Sequence, residues 1–460
     1  MSKSDDGCGA KMEQGAGEGG ALPGKAGSER DGGTERSRVK PGRRAFLGGV
    51  AMGAAALGAT RRARAAGQTE ISFASAKFFG KETVAQVVEM YNASQSRVHV
   101  SYDELPPPSD STAVHQLLVQ QLARRNGSPD VFTQDVIWIA EFAGAGWALP
   151  LDEEFGAEVR KDYFPGVGAA CTWGGKLTAL PWFIDSGMLY YRKDLLGGAA
   201  VPETWEELVK IAQAAQKSGG ARFGFLWQGK QAEVLVCDLV SFITGNGGAI
   251  LGPDGKTVLL ADDPTVAAVE FMRDTITRYK ISPQDVLSWD EEPSRRPFTG
   301  GQAAFLRNWS YVFTIAQDAK VSSVAGKVGV APLPHFAGGK SSACLGGYQY
   351  GVNASTKNRD AAIDFVRWMS SPATQLHFAT ELGLAPTRAA VFDEPALAKS
   401  QPFMQTLKPV FVGATPRPVT PKYAQVTLVL QSAVSRALAE GNVKQALASA
   451  KERIALIVGA

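Results

Sequence analysis

The most informative segment of this chain is Ala179–Leu196, which reads ALPWFIDSGMLYYRKDLL. Its pattern predicts a short strand over Thr178–Trp182, a loop that carries Asp185, and a second apolar strand over Gly187–Arg192. Four aromatic side chains lie close to this acid in the sequence: Trp182, Phe183, Tyr190 and Tyr191. A carboxylate among flat apolar rings suits a sugar, because it accepts hydrogen bonds from hydroxyls beside an apolar wall. A buried pair of strands with one loop acid would give the same pattern.

Strand and helix patterns alternate before this stretch. We expect strands over Glu70–Ala74, Arg97–Tyr102 and Asp130–Thr133, with helices over Glu82–Gln95 and Thr112–Arg125 between them. This order is typical of an α/β domain with a largely parallel sheet.

The alternation restarts after the stretch and ends in a helical tail. Thr204 and Glu207, three residues apart, predict a capping box for a helix that runs to about Lys217. Asp263 followed by Pro264 predicts the start of another helix. The tail has helical patterns over Asp360–Met369, Pro372–Thr380, Pro395–Leu407, Tyr423–Leu438 and Val443–Val458. Two α/β units followed by helices predict a two-lobed α/β protein.

Composition allows a large folded protein and argues against a nucleic-acid partner. The chain has 460 residues, of which 45% are hydrophobic, so it can form two or three domain-sized units. Its net charge of +3 is small, and the basic residues cluster near the N-terminus. No basic stripe interleaved with aromatic residues is present, and such a stripe is what nucleic acid binding requires.

The first 66 residues predict an export signal. Arg43 and Arg44 precede an apolar run over Phe46–Ala59, which is too short to span a bilayer. A basic segment and small residues follow, so we expect cleavage near Ala65 or Ala66. The paired arginines before Phe-Leu resemble a twin-arginine signal, which predicts a periplasmic protein. A disordered basic tail with a chance arginine pair is the alternative.

Three cysteines follow this signal, which allows at most one disulfide. Cys237 lies in an apolar helical pattern typical of a core residue. Cys171 with Cys344 is therefore the pair to test, because an exported protein meets an oxidising space.

Three further segments follow the opening stretch in a fixed order: GFLWQGKQAEVLVCDLVSFITGNGG (Gly224–Gly248), AAFLRNWSYVF (Ala303–Phe313) and RPVTPKYAQV (Arg417–Val426). Together the four segments resemble the family 1 extracellular solute-binding proteins of bacterial ABC sugar importers, and within them the trehalose/maltose-binding branch. The resemblance extends from about Gly67 to the C-terminus. It implies the type II periplasmic binding protein fold, in which two α/β lobes enclose a ligand cleft.

The resemblance also implies approximate lobe boundaries. Residues 67–181 with 337–370 would form the N-terminal lobe, and residues 182–336 with 371–460 would form the C-terminal lobe, with residues 1–66 outside both. The chain would cross between the lobes near Pro181, near Pro334–Phe336 and near Ser370.

The resemblance carries over a set of ligand-contact positions. They are Glu82, Asp135, Asp185, Trp309, Gly347, Tyr348 and Arg417. Carboxylates would accept hydrogen bonds from sugar hydroxyls, the guanidinium would donate to adjacent hydroxyls, and aromatic faces would cover the apolar side of the ring. Glycine would allow close backbone approach. Trp227 and Gln228 could lie at the edge of the same pocket.

Each of these assignments has a structural alternative. Glu82 could be an acid in the first turn of a helix, and Asp135 could be a helix-capping acid. Trp309 could pack between the lobes, and Arg417 could form a surface salt bridge. Tyr348 stands where this branch commonly has tryptophan after two glycines, which leaves the identity of the ligand open.

The implied function is a receptor that delivers a glucose-containing disaccharide, such as trehalose or maltose, to the permease subunits and ATPase of an ABC importer. A receptor for another sugar, a sugar alcohol or a glucosyl-polyol is the first alternative. An exported glycosidase would need two carboxylates about 5–10 Å apart across the sugar bond, and no hydrolytic motif is visible. We expect a monomer with no catalytic residue, no cofactor, no metal site and no nucleic-acid partner.

Overall fold

The structure is a computed structural model that describes residues 67–78, 83–156, 161–252 and 255–459. The predicted export signal over residues 1–66 and the candidate Glu82 lie outside the described residues. Within these ranges no helix has both the length and the apolar character that a bilayer crossing requires.

Strands and helices alternate through the first two thirds of the chain. The strands of the described residues are β1 (Thr69–Ala76), β2 (Val98–Leu105), β3 (Val131–Asp135), β4 (Thr172–Trp173), β5 (Lys176–Leu177), β6 (Leu180–Ser186), β7 (Met188–Arg192), β8 (Phe223–Leu226), β9 (Ala303–Asn308), β10 (Val328–Ala331), β11 (Leu345–Val352) and β12 (Ala385–Pro386).

Helices connect these strands and form the C-terminal part. Those of the described residues are α1 (Val84–Ser94), α2 (Ser111–Ala123), α3 (Ile139–Gly144), α4 (Asp152–Phe155), α5 (Pro165–Ala170), α6 (Trp205–Lys217), α7 (Glu233–Thr244), α8 (Asp263–Thr277), α9 (Glu291–Thr299), α10 (Val312–Gln317), α11 (Arg359–Met369), α12 (Pro372–Glu381), α13 (Ala389–Phe392), α14 (Pro395–Ser400), α15 (Pro402–Val412), α16 (Tyr423–Glu440) and α17 (Val443–Gly459).

The first sheet has the strand order β12-β6-β11-β3-β1-β2. β1 is parallel to both β2 and β3, whereas β11 is antiparallel to β3 and to β6. The register places Tyr348 of β11 opposite Asp135, the last residue of β3. This pairing brings two segments that are far apart in the sequence to the same end of the sheet.

The second sheet has the strand order β10-β7-β9-β8, and each sheet has its own apolar core. Helix α7 lies inside the second core, where all of its residues from Glu233 to Ile243 are buried. A mostly apolar helix that is buried on all sides is stable only when other elements surround it. The N-terminus of α7 is thereby held in a fixed position beside the first sheet.

The chain leaves the first sheet for the second at Gly187, between β6 and β7. A Cβ atom at this position would lie 2.8 Å from both Nε and Nη2 of Arg307. The Arg307 guanidinium is fully buried, and its Nε lies 2.6 Å from Oδ1 of Asp238, which is also fully buried. Glycine is therefore required here so that the buried ion pair can lie directly against the crossing strand.

Several predicted features are observed, and others differ. The capping box of Thr204 and Glu207 is present at the start of α6. Asp185 was predicted in a loop, but it lies inside β6, because β6 continues along β11 as far as Ser186. The predicted helix Pro395–Leu407 is two helices, α14 and α15, separated at Gln401.

The predicted lobe boundaries stay a prediction. The crossing predicted near Pro181 falls inside β6, which stays in the first sheet as far as Ser186. β12 follows the crossing predicted near Ser370, yet it pairs with β6 of the first sheet.

Cys171 and Cys344, the pair that the sequence suggested for testing, lie in different cores. All three described cysteines are free and buried. Cys171 belongs to the first core, where its Sγ donates to Oε1 of Gln349 at 3.7 Å, whereas Cys344 belongs to the second core together with Cys237. This could not be predicted from the sequence, because the location of each cysteine depends on which core its segment joins.

We predict that Gly187→Ala lowers the free energy of unfolding by about 1–3 kcal/mol, because the new methyl group displaces the buried Arg307 guanidinium. Urea unfolding followed by tryptophan fluorescence measures the change. Gly144→Ala is the matched control: the nearest contact to its new Cβ would be 3.8 Å away, and alanine favours the helix α3 in which it lies. Equal stability of both variants would contradict the role of Gly187.

Candidate functional site

A cavity of about 130 Å³ lies between the two sheets. Its walls include six of the seven residues that the resemblance carried over, namely Asp135, Asp185, Trp309, Gly347, Tyr348 and Arg417. The seventh, Glu82, lies outside the described residues. Trp227 and Gln228 are fully buried and do not belong to the wall of this cavity.

Asp135 ends β3, and its carboxylate has two partners. Its Oδ1 accepts a hydrogen bond from the amide of Ile137 at 3.2 Å, which starts the turn that follows the strand. The same oxygen accepts from Nη2 of Arg417 at 3.0 Å. Burial raises the pKa of Asp135, and the Arg417 charge opposes this rise. Asp135 therefore caps the turn after β3, which was its structural alternative, and also forms part of the cavity wall.

Arg417 connects segments of both cores and is buried, not exposed on the surface. Its Nη1 donates to Oε1 of Glu233 at 2.8 Å, while Nη2 donates to Asp135 and to the carbonyl of Leu345. Its Nε is buried and has no hydrogen-bond partner among the described residues. Asp135 belongs to the first sheet and Glu233 begins α7 in the second core, so one guanidinium pairs with an acid from each.

Glu233 is a residue that the sequence reasoning missed. It accepts hydrogen bonds from Tyr423, Thr427 and Gln431 of α16 in addition to that from Arg417. Every donor is buried, so the carboxylate is held in one orientation. The available signal was an acid at the start of the mostly apolar helix α7, which is also the common position of a first-turn acid.

Asp185 lies in β6, two residues before the chain crosses to the second sheet. Its Oδ1 accepts from the amides of Ser186 at 2.8 Å and Ser310 at 3.1 Å. Burial raises the pKa of Asp185 to about 6, although the two amides oppose the rise. The backbone that follows β9 thus helps to orient a carboxylate of the first sheet at the wall of the cavity.

Trp309 directly follows β9 and is half-buried. Its Nε1 donates to Oε1 of Glu291 at 3.2 Å, and the Arg307 guanidinium lies 4.2 Å from the indole centroid. These contacts fix the plane of the ring. A Cβ atom on Gly346 would lie only 3.1 Å from Cζ3 of this indole, so the ring rests directly on the backbone of β11.

Gly347 and Tyr348 form the wall on the side of the first sheet. Gly347 has a φ of +120° and a Cβ there would lie 2.2 Å from the carbonyl oxygen of Phe183, so only glycine fits. Tyr348 stacks on Phe183 with ring centroids 6.0 Å apart, and Phe78 meets it edge-on at 5.0 Å. The Tyr348 hydroxyl is buried without a hydrogen-bond partner among the described residues.

Glu291 and Glu292 at the start of α9 are two further acids of the cavity wall that sequence reasoning missed. Glu292 is paired with Arg295 and accepts from the hydroxyl of Tyr311 at 2.9 Å. Oε2 of Glu291 is buried and has no hydrogen-bond partner among the described residues, and burial raises the pKa of this carboxyl. The pair looked like ordinary first-turn acids in the sequence.

The cavity wall combines unpartnered polar atoms with flat rings. Oε2 of Glu291, the Tyr348 hydroxyl and Nε of Arg417 are buried polar atoms that a ligand with hydroxyl groups could satisfy. No cluster of metal-ligating side chains occurs among the described residues. This chemistry is suited to recognition of a polyhydroxylated molecule.

Comparisons with known proteins agree with this architecture. Residues 74–376, more than half of the chain, match the family of bacterial extracellular solute-binding proteins. A protein of Deinococcus radiodurans named a probable ABC transporter-binding protein is 37% identical over 338 residues, which cover 71% of this chain and 79% of that protein. The mannitol-binding protein of Pseudomonas aeruginosa is 26% identical over 326 residues, which cover 66% of this chain and 74% of that protein.

A solved structure shows the same fold. Maltose-bound MalE3 of T. maritima matches with a TM-score of 0.78 and 36% sequence identity, over 84% of this chain and 98% of that one. This similarity confirms the predicted two-lobed α/β fold of type II.

We predict that Asp185→Asn changes how stability depends on pH. The folded-state pKa of about 6 lies above the usual 3.8, so the proton that stabilises the folded wild type is lost as pH rises. Relative to the variant, the wild type should lose on the order of 3 kcal/mol of unfolding free energy between pH 4 and pH 7, from about 1.4 kcal/mol per pKa unit. Urea unfolding at both pH values measures this, and parallel pH profiles would contradict it.

We also predict strong coupling between Arg417 and Glu233. Arg417→Met leaves two buried carboxylates without their cation, so it should lower the free energy of unfolding by about 3–5 kcal/mol. Glu233→Gln combined with Arg417→Met should cost less than the sum of the single changes, because one buried charge is then removed. A double-mutant cycle in urea measures the coupling, and additive effects would contradict it.

Proposed function

Because the chain belongs to the family of bacterial extracellular solute-binding proteins, we propose that it binds a sugar in the cavity between its two sheets and delivers it to the permease of an ABC importer. The observation that carries the sugar is the cavity wall, in which oriented carboxylates lie beside Trp309 and Tyr348. Members of this family bind solutes and are not enzymes, so the glycosidase alternative is excluded.

The proposed ligand is a glucose-containing disaccharide such as maltose or trehalose. The similarity to maltose-bound MalE3 supports this choice, because it extends over most of both chains. The half-buried indole of Trp309 supports it too, since a flat ring covers the apolar face of a pyranose. The amide-anchored Asp185 supplies the acceptor for the hydroxyls at the edge of such a ring.

A sugar alcohol is the second candidate, and two observations favour it. The cavity of about 130 Å³ is small beside the roughly 300–1,000 Å³ of ordinary ligand pockets. A relative that covers two thirds of this chain is a mannitol-binding protein. A disaccharide would need more room, and an adjoining cavity of about 1000 Å³, which shares Lys77, Phe78 and Tyr311 with the first, offers it.

The remaining parts of the proposal concern partners and location. Members of this family are extracellular or periplasmic and work with transporter components. We propose that this chain is periplasmic, is exported by the twin-arginine route through Arg43 and Arg44, and acts as a monomer beside its permease and ATPase without a nucleic-acid partner. The two lobes would close on the sugar by a hinge motion, and the closed form would dock on the permease.

We predict that calorimetric titration of the exported protein shows micromolar or tighter binding of one ligand from a panel of trehalose, maltose, sucrose, glucose, mannitol and glycerol 3-phosphate. Trp309→Ala and Asp185→Ala should each weaken that binding at least about tenfold, because each removes a contact that fixes the ligand. Trp173→Ala is the matched control, since this tryptophan lies in β4 outside the cavity wall.

The outcomes separate the candidates. Binding of maltose or trehalose alone supports the disaccharide, and binding of mannitol alone replaces it with the sugar alcohol. No binding across the panel, or equal loss in Trp173→Ala, would contradict a sugar site in this cavity.

A further inference from the structure

Glu291 is a cavity-wall acid whose two carboxylate oxygens have different surroundings. Its Oε1 accepts a hydrogen bond from the indole N–H of Trp309 at 3.2 Å. Its Oε2 is buried and has no hydrogen-bond partner among the described residues. Glu292 lines the same cavity, but its oxygens accept from the Arg295 guanidinium and from the Tyr311 hydroxyl. Both oxygens of Glu292 thus have partners, whereas Glu291 keeps one acceptor without a described donor.

A buried polar network fixes the backbone that carries Glu291. The Glu291 carbonyl accepts from the Ser294 hydroxyl at 2.9 Å and from Nδ2 of Asn308 at 3.1 Å. Nε2 of Gln228 in turn donates to Oγ of Ser294 at 2.7 Å and to the carbonyl of Arg307 at 2.8 Å. All four partner residues are fully buried. The start of α9 is thereby attached to β9, and Glu291 has a fixed origin at the wall.

The same network fixes the aromatic ring beside Glu291. The Arg307 guanidinium lies 4.2 Å from the indole centroid of Trp309. Its Nη1 donates to Oε1 of Gln228 at 3.1 Å, and its Nε lies 2.6 Å from Oδ1 of the fully buried Asp238. The guanidinium cannot turn away without leaving a buried carboxylate unpaired, which is costly. Gln228, Asp238 and Arg307 do not line the cavity, so they hold the ring and the acid from behind.

The chemistry of this place calls for a hydroxyl group. A buried carboxylate oxygen is stable only when a donor reaches it, and the cavity that Glu291 lines is open to a ligand. A sugar ring that stacks on Trp309 carries hydroxyls past the edge of the indole, which is where the Glu291 carboxylate lies. An anionic group would be repelled by this acid. A cationic group would be repelled by the Arg307 charge on the same indole.

We propose that Glu291 contacts the ligand and determines specificity: its Oε2 accepts a hydrogen bond from one hydroxyl of the sugar that stacks on Trp309. The assignment rests on the proposed sugar function and narrows it, because the ligand must then have a free hydroxyl that can donate at this position. A hydrogen bond to a charged group is stronger than one between neutral groups. A site built around such a bond rejects ligands that lack the hydroxyl, since its buried acceptor is then unpaired.

The test compares maltose with its monodeoxyfluoro analogues, each of which has fluorine in place of one hydroxyl. Fluorine is close to a hydroxyl in size but cannot donate a hydrogen bond. In calorimetric titration of the exported protein, at least one analogue should bind the wild type about tenfold or more weakly than maltose. In Glu291→Gln that penalty should fall to about twofold or less, because the amide oxygen keeps the Trp309 bond and an NH2 group replaces the acceptor.

Glu292→Gln is the matched control, since it removes the neighbouring acid, whose oxygens already have partners. Its affinity for maltose can change, but the analogue that identifies the hydroxyl should keep its full penalty. Glu291→Ala removes the acceptor in a second way and should abolish the same penalty. The result therefore does not depend on the folding of one variant.

Each outcome has a definite meaning. If every analogue has the same penalty in the wild type and in both Glu291 variants, the role of Glu291 is overturned while the sugar function stands. Loss of the penalty in Glu292→Gln as well would also overturn it, because the effect would then belong to the wall in general. If the wild type binds trehalose or mannitol instead of maltose, the monodeoxyfluoro analogues of that ligand are used. If it binds no sugar or sugar alcohol, the sugar function fails and the role of Glu291 fails with it.

Discussion

Arg417 forms two buried ion pairs that hold the parts of the site together. One guanidinium pairs with Asp135, at the end of a strand in the first sheet, and with Glu233, at the start of α7 in the second core. Two buried carboxylates without this cation would repel each other across the cleft. The helix, the strand end and the cavity wall therefore take their relative positions from a residue in the loop before α16.

The cavity wall contains more acid than base, and only part of that acid is paired. Arg417 serves two carboxylates, and Arg295 serves Glu292. Asp185 and Glu291 rely on backbone amides and on an indole N–H instead. Burial raises the pKa of both, so holding these acids in their ionised form costs folding stability. Such a wall favours neutral ligands that bring many hydroxyl donors.

Periodicity predicted most helices and strands to within a few residues, because burial of one face imposes it directly. The resemblance predicted six cavity residues. What could not be predicted depends on tertiary contacts. Asp185 belongs to a strand only because β11 pairs alongside it. Glu233 and Glu291 resemble first-turn acids until their distant partners are known, and Cys237 and Cys344 share a core only because α7 enters the second one.

The contact between Trp309 and Gly346 has a mechanical consequence. The indole lies against bare backbone, so in the proposed hinge closure the absence of a side chain on Gly346 would let the two sides of the cavity approach closely. A side chain at Gly346 would keep the two sides apart, and its volume would determine the width of the cleft that remains. Substituting residues of increasing size at Gly346 would therefore widen the closed cleft in steps. No charged group of the site would change in such a series.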